Sequence, residues 1–146
     1  MIEINNRKAK FDYEIIETYE CGIVLTGTEI KSIRMGSANL KDSYGVIRKN
    51  EVYLLNMHIS KYKEGNLFNH EETRTRKLLL HKEEIKKLLS KIEKEGFTLV
   101  PLKLYFKKNK VKILLGLGKG KKNYDKRETI KIRDINNQIK KELKYR

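Results

Sequence analysis

The chain has 146 residues, 36% of them charged and 38% hydrophobic, with 34 basic against 19 acidic side chains and a formal net charge of +15. That length suits one domain with an appended tail and allows a real core, while no apolar run approaches the roughly 20 residues of a membrane span. So large a positive excess says little about fold and points to a polyanionic partner, a nucleic acid or an anionic surface.

The charge is unevenly spread. Residues 1–115 carry 23 basic and 15 acidic side chains and residues 116–146 carry 11 and 4, so a short tail holds +7 against +8 for the rest. Two basic surfaces are expected. Met1 to Lys8 contain no hydrophobic signal segment, and the lone Cys21 can form no internal disulfide; both suit a reducing, cytoplasmic setting.

In chain order, Asn6, Arg7, Lys8 and Lys10 precede Phe11 as a basic segment, either a mobile arm or an RNA contact. Tyr13 to Leu25 is rich in β-branched and aromatic residues and predicts a long strand with a bulge or bend at Gly22. Glu20, beside that break, is either a solvated strand residue or an acceptor for guanine hydrogens or a ribose hydroxyl. Thr26 to Gly36 reads as a short helix, with Thr26 or Thr28 as cap, Glu29 at the positive dipole end and Ile30 and Ile33 facing inward.

Residues 43–59 predict a hairpin that turns near Lys49 and Asn50, with Tyr53, Leu55, Met57 and Ile59 on one face of the second arm. Residues 60–72 read as a loop. The run Thr73-Arg-Thr-Arg-Lys-Leu-Leu-Leu-His81 then joins a basic triplet to a helix in which Ile85, Leu88, Leu89 and Ile92 keep one apolar stripe and Gly96 ends it. Leu102, Leu104 and Phe106 alternate with Lys103, Tyr105 and Lys107. Across a Lys108-Asn109 turn, Val111, Ile113 and Leu115 alternate with Lys110 and Lys112. The lysine and tyrosine face of this hairpin could lie against a phosphate backbone, or simply keep a sheet edge soluble.

From Gly116 the character changes. Glycines 116, 118 and 120 leave the backbone open to close approach, and Lys119, Lys121, Lys122, Lys126 and Arg127 place five cations around the flat ring of Tyr124. Further on, Ile132, Ile135, Ile139 and Leu143 form a thin stripe among Lys131, Arg133 and other basic residues. Such a helix is marginal alone, so the tail is expected to be disordered until bound.

Five or six strands with a short plug helix and one helix between strands predict a mainly β fold: a small antiparallel barrel like that of oligonucleotide-binding domains, with two to three short helices. The expected division is a barrel over 1–117 and a basic tail over 118–146. Catalytic machinery is not evident. His58, His70 and His81 have no second ligand at a metal-site spacing, Cys21 has no CxxC partner, and the glycine-rich run lacks P-loop spacing. A His58/His70 pair with Lys61 or Lys63 is the one arrangement that could cleave RNA.

The order of motifs resembles the SmpB proteins, the tmRNA-binding (SsrA-binding) family of bacterial trans-translation. The resemblance runs through Asn6-Arg-Lys-Ala, Tyr19-Glu-Cys-Gly-Ile-Val-Leu-Thr-Gly-Thr-Glu-Ile-Lys-Ser, Asn39-Leu-Lys-Asp-Ser-Tyr, Met57-His-Ile and Thr73-Arg-Thr-Arg-Lys-Leu-Leu-Leu-His. It continues in Leu99-Val-Pro-Leu-Lys-Leu-Tyr-Phe and Lys119-Gly-Lys-Lys-Asn-Tyr-Asp-Lys-Arg. It implies a non-enzymatic adaptor without cofactor or metal, which binds the tRNA-like domain of tmRNA and accompanies it, with elongation factor Tu and GTP, into stalled ribosomes. No membrane or DNA partner is implied.

By the same resemblance Asn6, Arg7, Glu20, Leu79 and His81, with neighbouring Lys8, belong to a tmRNA surface. Lys119, Lys121, Lys122, Tyr124, Asp125, Lys126 and Arg127, continued by Lys131 and Arg133, serve the small-subunit decoding region and messenger channel. The competing readings are a non-specific ribosomal or nucleoid RNA-packing protein, and a ribonuclease using His58 and His70.

Overall fold

The structure, a computed structural model, describes residues 2–64 and 69–121. Its elements are β1 (Glu3–Asn5), α1 (Arg7–Asp12), β2 (Tyr13–Ile23), α2 (Gly27–Arg34), β3 (Ala38–Asn39), β4 (Tyr44–Arg48) and β5 (Glu51–Leu55). After these come β6 (His58–Ile59), β7 (Arg76–Leu79), α3 (Lys82–Glu95), β8 (Thr98–Lys107) and β9 (Lys110–Gly120).

Six strands close into an antiparallel ring in the order β8, β4, β5, β7, β2, β9, with β9 returning to β8. This is the barrel expected from the alternating pattern. Closure removes the unpaired edges that an open sheet of this composition would expose. The interior holds Cys21, Val52, Leu54, Leu78, Leu99, Leu104, Ile113, Leu115 and Leu117, joined by Ile33 of α2 and by Ile85 and Leu88 of α3. Each fully buried aliphatic side chain of this kind stabilises the fold by about 1.5–3 kcal/mol. Two hairpins are set by two-residue turns in which Lys49 and Asn50 (φ 51° and 63°), and Lys108 and Asn109 (φ 50° and 66°), adopt left-handed conformations that match the strand twist.

Two bulges decide which side chains reach the interior. The register of β2 against β9 shifts between Ile15 and Glu17, and that of β8 against β9 shifts between Pro101 and Lys103. The extra residue in each strand reverses its inside-outside phase. Tyr13 and Ile15 therefore leave the main core and join Ala9, Val100, Leu102 and Leu114 in a second cluster beneath α1. This corrects two expectations: Gly22 pairs in regular register and is not the bulge, and Leu102 does not share the face of Leu104 and Phe106.

The glycines of β9 serve this second cluster. A Cβ on Gly116 would lie 3.0 Å from Leu102 Cδ1, and one on Gly118 would lie 3.1 Å from Tyr13 Cβ. The close approach they permit is to the chain's own side chains, not to a partner. β9 continues past Leu117, since Lys119 pairs with Glu14 and Gly120 with Tyr13, so the boundary expected after Leu117 falls inside a paired strand.

Residues 76–79 form β7, where the sequence pattern predicts only a junction between a basic triplet and a helix. Arg76 is fully buried: its Nε donates to Glu29 Oε2 (2.7 Å), and its other nitrogens donate to the carbonyls of Met57 (2.6 Å) and Glu72 (3.1 Å). Glu29 also accepts from Arg74 and, completing a capping box with Thr26, from the Thr26 backbone N–H. The arm expected to run from Val52 to Ile59 breaks at Asn56, whose φ is 66°. Inward-facing positions accordingly change from Val52 and Leu54 to Met57 and Ile59.

Candidate nucleic-acid interface

The outer faces of β7, β2, β9 and β8 form one ladder. Leu79 is paired with Gly22, Gly22 with Lys112, and Lys112 with Tyr105. Strand alternation turns Glu20 to this same side, where its carboxylate accepts from the Tyr105 hydroxyl (2.5 Å) and from Lys107 Nζ (3.1 Å). Those two hydrogen bonds, Tyr105 first, hold the Glu20 carboxyl below the usual carboxylate range, and Glu20 is an anionic acceptor at neutral pH. Burial, and then the bond to Glu20, push the Tyr105 phenol up to about 12.

Leu79 is half exposed, an apolar platform beside these charges. It borders a groove of about 330 Å³ that is also lined by Gly22, Arg34, Lys110 and Lys112. Arg34 is held there with its guanidinium carbon 5.1 Å from the Phe106 ring centroid. His81 follows Leu79 at the start of α3 and is exposed, with its backbone N–H accepted by Glu84 (3.0 Å). A groove lined by an apolar surface and several cations, with one carboxylate on the same outer face of β2, can stack a base, accept its hydrogens and hold its phosphates. Glu20, Leu79 and His81 stand out in the sequence, but nothing local joins Lys112, Lys110 and Arg34 to Leu79. The β2–β9 register is what does so, and period-two alternation alone cannot supply a register.

Asn6, Arg7 and Lys8 lie elsewhere. β2 runs from Tyr13, which α1 leads into, to the Gly22–Leu79 pair, and nine residues of strand span roughly 30 Å. Asn6 is buried: its amide nitrogen donates to the carbonyls of Pro101 (2.9 Å) and Leu40 (3.3 Å), and its side-chain oxygen caps α1 by accepting from the Ala9 N–H. Arg7 and Lys8 are exposed on α1. Lys119 is exposed near the end of β9, and Lys121 Nζ lies 3.5 Å from the Lys10 carbonyl, so the start of the tail stands beside α1 and away from the groove. Lys122, Tyr124, Asp125, Lys126, Arg127, Lys131 and Arg133 lie outside the described residues.

The two histidines considered for RNA cleavage are separately engaged. His70 is buried, with Nε2 donating to the Ile59 carbonyl (2.9 Å) and Nδ1 2.9 Å from the Thr28 hydroxyl. His58 faces Glu72 at 3.8 Å. Among the described residues no group of three or more His, Cys, Asp or Glu side chains is placed to hold a metal ion, and no helix is long and apolar enough to cross a membrane.

A family model described as SmpB protein matches residues 3–145. Among curated relatives, an SsrA-binding protein of Bacillus subtilis is 60% identical over 134 residues, which are 92% of this chain and 86% of the relative. An SsrA-binding protein of Trichodesmium erythraeum is 57% identical over 141 residues, 96% of this chain and 90% of the relative. A solved structure described as "tmRNA-SmpB: a journey to the center of the bacterial ribosome" is similar at a TM-score of 0.72 and 50% identity, covering 86% of this chain and 89% of the other.

Proposed function

The chain belongs to the SmpB protein family, and from that premise we propose that it is an RNA-binding adaptor of trans-translation, which binds the tRNA-like domain of tmRNA and delivers it to stalled ribosomes. The observation that carries the reading is the ladder joining Leu79, Gly22, Lys112 and Tyr105, with Glu20 beside them on one outer face. Leu79 supplies a platform for an unstacked base, Glu20 accepts hydrogens from a base or a ribose, and Lys110, Lys112 and Arg34 hold phosphates. His81 extends this surface toward α3. Placement supports a division of roles in which the groove reads tmRNA, while the basic tail, beginning with Lys119 and Lys121 beside α1, addresses the decoding region and the messenger channel. Arg7 and Lys8 stand on the tail side of the barrel, and elongation factor Tu with GTP is the carrier that brings the complex to the ribosome. All of this belongs in the cytoplasm.

The function is non-enzymatic. The protein positions one RNA against another, which needs surfaces on opposite ends of a rigid body and no reacting group. The test is a reconstituted translation reaction on a messenger lacking a stop codon, supplied with alanyl-tmRNA. The intact protein restores tagging of the stalled peptide; Glu20→Ala and Leu79→Ala lower tagging in parallel with tmRNA affinity while their thermal unfolding stays close to that of the intact chain. A non-specific RNA-packing protein would show no preference for the tRNA-like domain over duplex RNA, and tagging indifferent to both substitutions would set the adaptor reading aside.

A further inference from the structure

Two of the segments that carry the family resemblance, Asn6-Arg-Lys-Ala and Asn39-Leu-Lys-Asp-Ser-Tyr, take no part in the groove beside Leu79. They converge on a separate pocket of about 260 Å³ at the α1 end of the barrel, lined by Lys8, Asp12, Tyr13, Asp42, Ser43 and Tyr44 among others. The floor is fixed by buried groups: the Ser43 hydroxyl donates to the Leu40 carbonyl, and the Asn6 amide donates to that same carbonyl (3.3 Å). The rim is open and polar. Lys8 Nζ lies 3.5 Å from Asp12 and 3.9 Å from Asp42, and the Asp42 side chain is 66% exposed. Tyr44 is 38% exposed at the same rim.

We infer that this pocket receives a single unstacked guanine of an RNA strand. A carboxylate offers two adjacent acceptors and no donor, and the Watson–Crick edge of guanine offers two adjacent donors, its ring imino and exocyclic amino groups. Adenine and uracil each present an acceptor where the carboxylate needs a donor, and cytosine has one amino group next to an acceptor. Asp42 is the reader because it is the more open of the two carboxylates. Asp12, closer to Lys8 and 26% exposed, holds the ammonium group toward the strand, where it meets the nucleotide's phosphate. Tyr44 supplies a stacking face that serves any base. The inference rests on the RNA-binding reading above and adds a second, base-selective contact some distance from the first.

The experiment measures anisotropy of fluorescein-labelled single-stranded hexanucleotides, UUUGUU and the same strand with inosine or adenine in place of guanine, binding to the full chain. The basic tail contributes equally to all three, and the same series is run on Glu20→Ala, which removes the other carboxylate that accepts guanine hydrogens, so the differences that remain report the pocket. The expected result is a preference for guanine over adenine of roughly tenfold or more, as a bidentate base contact provides, with inosine between them because it lacks the amino group. Asp42→Asn removes the preference by lowering guanine binding alone, whereas Tyr44→Ala weakens all three strands together. Equal binding of the three strands, or a guanine preference that survives Asp42→Asn, overturns the inference. Binding of the tRNA-like domain is measured on the same preparations: a chain that holds this RNA but shows no guanine preference loses the pocket only, and one that binds neither loses the adaptor reading as well.

Discussion

Leu79 stands directly across the β2–β7 ladder from Gly22, and its Cδ1 would lie only 3.3 Å from a Cβ placed on that glycine. The glycine is thus the seat on which the half-exposed leucine rests. Gly22→Ala forces Leu79 to move by a few tenths of an ångström and tilts the platform. We predict that Gly22→Ala lowers affinity for the tRNA-like domain several-fold with a stability change under about 1 kcal/mol. Leu79→Ala lowers it further at a similar stability cost. Filter binding and urea denaturation of the two variants check the split.

Glu20 is oriented by Tyr105 and Lys107 across two intervening strand spacings. Tyr105→Phe removes one donor and leaves the carboxylate in place, so it should weaken tmRNA binding less than Glu20→Ala does. Combining the two should cost little more than Glu20→Ala alone, because the phenol acts through the carboxylate. A double-mutant cycle on binding to the tRNA-like domain measures this coupling.

Glu29 gives a pH prediction. Burial raises its pKa, but hydrogen bonds from Arg74, the Thr26 N–H and Arg76 outweigh burial and bring it down from 4.5 to about 2. A carboxyl depressed on folding stabilises the native state above its unfolded value, and that contribution is lost as the pH falls toward the folded value. Stability should therefore drop between about pH 4.5 and pH 2, and Glu29→Gln should flatten that part of the profile. At neutral pH the same substitution leaves the fully buried Arg76 without its charge partner, at a cost of about 3–5 kcal/mol. Urea denaturation across the pH range reads both effects.

The glycines of β9 should resist substitution more strongly than their place before a basic tail suggests. Gly116→Ala brings a methyl group to 3.0 Å from Leu102, and Gly118→Ala brings one to 3.1 Å from Tyr13. Overpacking of this kind costs about 1–3 kcal/mol. Thermal unfolding should show the loss, and a second substitution that shortens the neighbour, Leu102→Val for Gly116→Ala, should recover part of it.

The elements whose signals are local were legible in the sequence: α3 with its apolar stripe and Gly96, α2 with the Thr26–Glu29 cap, and the turns at Lys49-Asn50 and Lys108-Asn109. What escaped depends on register. The two bulges beside β9 add one residue each and reverse the phase of β2 and β8, so Leu102 reads as core by alternation yet lies under α1. β7 was hidden because Arg76, a fully buried arginine, breaks the apolar pattern, and its partner Glu29 is 47 residues away. Asn6 reads as a surface residue, since nothing local reveals that its amide reaches Pro101. At the candidate interface, Glu20, Leu79 and His81 stand out in the sequence one by one. The neighbourhood of Leu79 with Lys112 and Arg34 emerges only from the folded chain.

The division between a barrel that reads tmRNA and a tail that meets the ribosome is tested most directly by a chain ended after Lys121, which keeps the whole of β9. Its binding to labelled tRNA-like domain at ~150 mM salt, where phosphate contacts alone are weakened, is compared with that of the full chain in the presence of excess bulk tRNA and duplex RNA. The account predicts that both hold the tRNA-like domain against these competitors with similar affinity, while only the full chain supports tagging. Loss of most of the affinity in the shortened chain would contradict it, since the tail rather than the face of Glu20 and Leu79 would then be the tmRNA reader.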